Sequence, residues 1–196
     1  MLNNLFPTPV YETTIKEHQL VKDAFAPFIN EDKYFNTPSS WNCDVDTSFG
    51  LEPLSDLPWH VFFENVMPLL NDFLIELGIN KQYSVNVQAW MNRYHKGQHQ
   101  EIHCHSDTHN VISCAYMMQL PKDSGDFVFY KSNNDFFQRT SLQHLSYNDF
   151  YGNKYTPPLE EGGIVFFPGN LDHYVTYNKS DNLRVTLSAN FSIVPA

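Results

Sequence analysis

Apolar residues recur at helical spacing in two early segments of the chain and gather in short extended runs through its second half. Residues 16–30 place Leu20, Val21, Ala24, Phe25 and Phe28 on one stripe. Residues 58–79 do the same with Trp59, Phe62, Phe63, Val66, Leu69, Leu70, Phe73, Leu74 and Leu77. Both segments predict amphipathic helices, the second ending at Gly78 and kinked or divided at Pro68, which has no amide proton to donate. Between them, residues 34–54 show no period and carry Pro38, Asn42, Gly50 and Pro53, so they read as a long loop, and loops of that length in compact domains often serve function. From Tyr83 onward the pattern changes to short extended runs, of which residues 84–94 alternate while 111–120 and 127–131 are rich in aromatic and branched residues. Strands are expected over residues 84–94, 111–120, 127–131, 163–168, 173–177 and 182–194, with turns at Lys122-Asp123-Ser124-Gly125, Pro157-Pro158, Gly162-Gly163 and Pro168-Gly169-Asn170. Strands in succession without helices between them imply antiparallel sheets, and two such sheets closed on each other form a jelly roll whose mouth can hold a ligand. The expected fold class is α+β, mainly β: one domain over residues 1–196, with 1–82 as helical and loop support and 83–196 as a cupin-like jelly-roll core.

Composition narrows the classes. A chain of 196 residues with 42% hydrophobic and 15% aromatic content can bury a sizeable core and is not disordered. The net charge of −10, with Lys96, Lys122, Lys131, Lys154 and Lys179 scattered singly, argues against nucleic acid or an anionic membrane as partner. No apolar run is long enough to span a bilayer and no basic, apolar leader opens the chain, so a soluble cytoplasmic protein is expected. Cys43, Cys104 and Cys114 lack the paired spacing of a zinc site or a disulfide framework.

The candidate chemistry lies in His105-Ser106-Asp107, His173 and Arg184. Two imidazoles and a carboxylate on one side of an ion form the facial triad that holds non-haem Fe(II) and leaves the opposite positions open. In a strand, residues i and i+2 share a face, so His105 and Asp107 can reach one ion while His173 arrives from another strand. Ten residues then separate His173 from Arg184, room for a turn and a return strand that brings a fork-shaped cation near the metal. Each residue also has a plain reading. A histidine is more often at the surface or satisfied in the core, Asp107 in Ser-Asp-Thr-His-Asn suits a turn, and Arg184, Thr186 and Ser188 suit an exposed strand face. The first pair has two assignments, because His103-Cys104-His105 is itself a His-x-His pair with the same facing. A carboxylate partly neutralises Fe(II), which favours His105 with Asp107 and leaves His103 as a neighbour of the site. His95, His99 and His109 read as solvated loop residues.

From Trp90 to Ile193 the order His-x-Asp, distal His and Arg resembles the 2-oxoglutarate- and Fe(II)-dependent oxygenases, whose core is a double-stranded β-helix. Leu5-Phe6-Pro7-Thr8-Pro9-Val10-Tyr11 and Val111-Ile112-Ser113-Cys114-Ala115-Tyr116 are similar to a bacterial and phage branch of that superfamily with a prolyl-hydroxylase-like core. Counted forward from Asn92 and Gly97, the family pattern puts the opening ligand at His103; counted back from Val111-Ile112-Ser113, it puts it at His105. Many relatives in the branch carry His-x-His there. The resemblance implies Fe(II), 2-oxoglutarate and O2, with ascorbate as a reductant, and a hydroxylase that converts 2-oxoglutarate to succinate and carbon dioxide as it oxidises an unidentified substrate. It further implies Arg184 on the distal carboxylate of 2-oxoglutarate, a hydroxyl from Thr186 or Ser188 beside it, and Tyr94, Tyr116 and Asn92 as cosubstrate contacts. The aromatic-rich segments 34–54, with Trp41, and 133–155 are expected to border the site as substrate-facing lids. Two other classes stand beside this one: a cupin-like metalloenzyme that does not use 2-oxoglutarate, which would have no need of Arg184, and a non-catalytic jelly-roll binding or structural module.

Overall fold

The computed structural model describes residues 7–51, 56–105, 112–131 and 152–195. Two antiparallel sheets carry the fold. The larger is built from β1 (Tyr11–Thr14), β2 (Asp46–Thr47), β3 (Tyr83–Tyr94), β5 (Ile112–Gln119), β8 (Gly163–Pro168) and β10 (Arg184–Pro195), in the spatial order β1-β8-β5-β10-β3-β2. The smaller holds β4 (Gln100–His103), β6 (Phe127–Tyr130), β7 (Lys154–Tyr155) and β9 (His173–Val175), in the order β4-β9-β6-β7. From β3 to β6 and again from β7 to β10 successive strands alternate between the sheets, which is the jelly roll expected from the sequence.

Period-two alternation divides the residues of the larger sheet between two cores. Met91, Cys114, Tyr116, Ile164, Phe166, Leu187 and Phe191 face one way, against helices α1 (His18–Phe25) and α2 (Trp59–Glu76). Tyr94, Ala115, Met117, Val165 and Phe167 face the other way, against Phe127, Phe129 and Val175 of the smaller sheet. The helices thus cover the outside of the barrel and leave its interior to side chains that are polar on β3 and β10: Asn92, Arg184, Thr186, Ser188 and Asn190 are all buried.

Three details differ from the sequence expectation. α1 stops at Phe25 and the chain continues in turns to Asn30, because Ala26, still in helical geometry, donates the last bond to Lys22 O and Pro27 has no amide proton to extend the ladder. α2 passes through Pro68 without dividing. Pro68 lies on the exposed side, while Phe62, Val66, Leu70, Phe73 and Leu74 seat both halves on the sheet, so continuous burial outweighs one lost hydrogen bond. The described part of segment 34–54, residues 34–51, is also more structured than a loop. Asn36 bridges Thr47, and Arg93, only 7% exposed, donates to Asp46 Oδ2 at 2.9 Å while its guanidinium lies 4.1 Å from the centre of the Phe35 ring. α2 ends as expected at Gly78, whose φ of +80° permits the paired bonds from Gly78 N to Ile75 O and from Ile79 N to Leu74 O.

Candidate metal centre

The end of β4 and the start of β9 lie side by side in register, His103 opposite His173, and Phe129 of β6 flanks His173 from the other side. Just past β4, the backbone amide of His105 donates to Gly169 O at 2.6 Å, which turns its side chain toward the same point. The ring centres of His103, His105 and His173 are separated by 5.3, 4.2 and 4.9 Å, and one nitrogen from each lies within 4.8 Å of the other two.

Hydrogen bonding decides which nitrogen that is. Nδ1 of His103 is 2.8 Å from Glu101 O, and Nδ1 of His173 is 2.8 Å from Leu171 O. A carbonyl only accepts, so both Nδ1 atoms carry the proton. His105 Nδ1 lies 2.8 Å from Ser113 Oγ, whose own proton goes to Asn190 Oδ1 at 2.8 Å, so the Ser113 oxygen accepts from His105 as well. All three imidazoles therefore keep a lone pair on Nε2, the tautomer a metal requires.

Burial holds them neutral. It depresses the His103 and His173 imidazoles, His173 strongly, and brings His105 down to about 4, with the neighbouring histidines adding to the effect at His105 and His173 and Asn190 partly opposing it at His105. The sign for stability follows from the comparison with the unfolded chain, whose histidines titrate near 6.5. Between pH 6.5 and 4 the unfolded state binds more protons, so stability is full above pH 6.5 and falls as the pH drops through this window. The metal-free protein is expected to lose about 2 kcal/mol by pH 5 from His105 alone. Urea denaturation at pH 7 and pH 5 measures this, and the pH dependence should flatten in His105→Gln; equal slopes in the two proteins would remove His105 as the source.

Apolar rings close the centre. Phe127 and Phe167 lie 5.4 and 4.8 Å from the His173 ring, and the edge of Trp90 meets His105 at 5.5 Å. From Trp90, aromatic contacts run outward through Phe49 at 5.3 Å to Trp41 a further 5.9 Å away, which ties these two residues of segment 34–54 to the ring beside His105. Of segment 133–155, Lys154 and Tyr155 form β7 at the edge of the smaller sheet, with β6 between them and His173. Residues 133–151 and Asp107 lie outside the described residues, as does His109. His99, read as solvated, instead packs its ring 4.3 Å from that of Tyr177.

The polar stripe of β10 continues from the metal centre. Asn190, Ser188, Thr186 and Arg184 pair with Gln88, Trp90, Asn92 and Tyr94 of β3, and two residues along a strand rise about 7 Å. Thr186, Ser188, Asn92, Tyr94 and Gln100 line one enclosed pocket with the three imidazoles, whose free volume is about 20 Å³, close to that of one water molecule. Burial pushes the Tyr94 phenol up to about 12, against the opposing pull of Arg184, and its hydroxyl donates to Gln100 Oε1 at 2.9 Å.

At the far end of the stripe, Arg184 is completely buried. Nη1 donates to the carbonyls of Ser124 and Gly125, Nη2 points to Met117 Sδ, and Nε has no partner. Among the described residues no carboxylate forms an ion pair with it, and Asp126 acts on it only through space. A guanidinium stays charged even when burial lowers its pKa, so among the described residues this cation has no ion-paired carboxylate. The carboxamide oxygen of Asn92 is also buried without a partner. Three imidazole lone pairs and an unpaired guanidinium fit Fe(II) and a dicarboxylate.

Tyr116 lies elsewhere. It projects to the helix side of β5, where its hydroxyl is 2.5 Å from His18 Nδ1 and its ring packs on Phe62. The sequence reading also passed over Gln100, Ser113, Asn190, Phe127 and Phe167. Asn190 had a signal in the sequence, since it continues the alternation of Arg184, Thr186 and Ser188.

Residues 88–190, more than half of the chain, match the family model for 2OG-Fe(II) oxygenases, and the chain belongs to that family. It is a non-haem iron enzyme that uses 2-oxoglutarate and O2 as cosubstrates. Among curated proteins, none matches the chain in sequence. Solved structures share the fold. A prolyl-4-hydroxylase from Pseudomonas putida aligns with a TM-score of 0.66 at 13% identity over 96% of this chain and 94% of its own. The epimerase SnoN of nogalamycin biosynthesis, in complex with Fe3+, alpha ketoglutarate and nogalamycin RO, aligns at 0.62 and 10% over 94% and 79%. EvdO2 from Micromonospora carbonacea var. aurantiaca, complexed with 2-oxoglutarate, aligns at 0.57 and 14% over 96% and 88%. No helix among the described residues is long and apolar enough to cross a membrane.

Proposed function

We propose that the chain is a hydroxylase that holds Fe(II) through Nε2 of His103, His105 and His173 and grips the distal carboxylate of 2-oxoglutarate with Arg184. The observation that carries this reading is the shared tautomer: each of the three imidazoles is anchored through Nδ1, which leaves the Nε2 lone pair free, and one nitrogen of each lies within 4.8 Å of the other two. Iron with 2-oxoglutarate supplies oxidative decarboxylation coupled to oxidation of a substrate C–H bond, and ascorbate would serve only to re-reduce the metal. The protein does the rest. Arg184 neutralises the far end of the cosubstrate, Thr186 and Ser188 offer hydroxyls along its length, and Tyr94, Asn92 and Gln100 bound its pocket. Phe127, Phe167 and Trp90 keep water from the metal-facing side.

The third ligand is open to direct measurement. His103→Ala is expected to remove most Fe(II) binding and succinate formation, and Asp107→Ala to retain a substantial share of both, as anaerobic iron titration reads out. The reverse pattern would restore the set His105, Asp107 and His173. On the substrate side, Trp41 stands two aromatic contacts from Trp90 and is half-buried. Trp41→Ala should lower substrate-coupled turnover several-fold more than the substrate-independent decay of 2-oxoglutarate. Equal losses in both assays would make Trp41 a packing residue.

A further inference from the structure

His103 and His173 are each held through Nδ1 by the backbone carbonyl two residues earlier, which no side-chain substitution removes. His105 lies beyond the end of β4 and is held instead by Ser113 and Asn190, two side chains on neighbouring strands β5 and β10. They are directly opposite each other in register, and both are buried, at 0% and 4% exposure.

The direction of the bonds matters more than their number. A serine hydroxyl can donate or accept, so by itself it permits either imidazole tautomer. Asn190 Oδ1 only accepts. By taking the Ser113 proton at 2.8 Å it commits the hydroxyl oxygen to accepting from His105 Nδ1–H, which leaves Nε2 unprotonated. Building on the three-histidine reading above, we propose that Ser113 and Asn190 form a positioning relay that selects the metal-binding tautomer of His105 and fixes its ring, so that Asn190 governs metal affinity from beyond contact with the metal. Such supports of a ligating imidazole are worth roughly 10- to 100-fold in metal affinity.

The relay makes a prediction that simple packing does not. Ser113→Ala removes the acceptor. Asn190→Ala leaves the serine but frees its hydroxyl to donate to Nδ1, which favours the wrong tautomer. Both should weaken Co(II) affinity about tenfold or more in anaerobic competition with a chelator, and both should alter the cobalt ligand-field spectrum. Ser113→Thr keeps the hydroxyl and Asn190→Asp keeps an acceptor-only oxygen, so each should stay within about threefold of the parent. Unfolding midpoints of the metal-free proteins identify any variant lost to misfolding, and the two conservative variants then carry the test. Parental affinity and spectrum in both alanine variants would overturn the relay, as would equal losses in Asn190→Ala and Asn190→Asp. If the parent protein bound no Co(II), or His173→Ala bound it fully, the three-histidine reading itself would fall, whatever the Ser113 variants did.

Discussion

His173→Ala is expected to abolish stoichiometric Fe(II) binding. Its imidazole is the most enclosed of the three, 4% exposed, paired across the sheet with His103 and flanked by Phe129. Two imidazoles left at the ends of β4 cannot surround an ion, and since loss of a hydrogen bond behind one ligand costs 10- to 100-fold, loss of a ligand should cost roughly 100-fold or more. Truncation also opens a hole between Phe127 and Phe167, at a cost of about 2–3 kcal/mol that would confuse the result if the fold were lost. His173→Phe separates the effects by refilling the slot with a ring that has no donor atom. Both variants should be iron-free by anaerobic titration, with the phenylalanine protein the more stable in urea. Full iron occupancy in either would remove His173 from the centre.

The part of this site that was legible in the sequence is the part that depends on strand period. Alternation places Arg184, Thr186 and Ser188 on one face whatever the partner strand, and the interval from His173 to Arg184 needs only a turn and a return. Tyr116 failed for the complementary reason. β5 is buried on both faces, so its run Ile-Ser-Cys-Ala-Tyr-Met-Met carries no polar alternation to say which side faces the cavity. The structure turns Tyr116 outward to His18 and Ser113 inward to His105. The relation between Ser113 and Asn190 was beyond local reading, because it depends on the register of β5 with β10 across more than seventy residues of chain. His103 is a case between these. Its facing followed from spacing, while its approach to His173 depends on the pairing of β4 with β9, whose register shifts between Gln100 and His103.

Arg184→Ala is expected to weaken 2-oxoglutarate binding by roughly 30-fold or more while leaving iron in place. The guanidinium is buried at the end of the polar stripe of β10 and has no ion-paired carboxylate among the described residues, so on the proposed reading a dicarboxylate seated against it gains a charge-assisted pair away from water; truncating one member of such a pair costs about 2–5 kcal/mol. Its effect on folding is a contest of opposing terms. Removing the side chain gives up the bonds to the Ser124 and Gly125 carbonyls and leaves a cavity, but it also removes a buried charge that nothing in the described barrel balances. The two offset one another, so the metal-free variant should unfold within about 2 kcal/mol of the parent. Arg184→Lys keeps the charge but not the fork, and the compact ammonium is more strongly hydrated, so it should recover only part of the lost affinity. Calorimetric titration of 2-oxoglutarate into the Fe(II)-loaded, oxygen-free protein measures all three forms. Unchanged affinity in Arg184→Ala would place the cosubstrate carboxylate elsewhere and leave the unpaired Arg184 without a role in binding it.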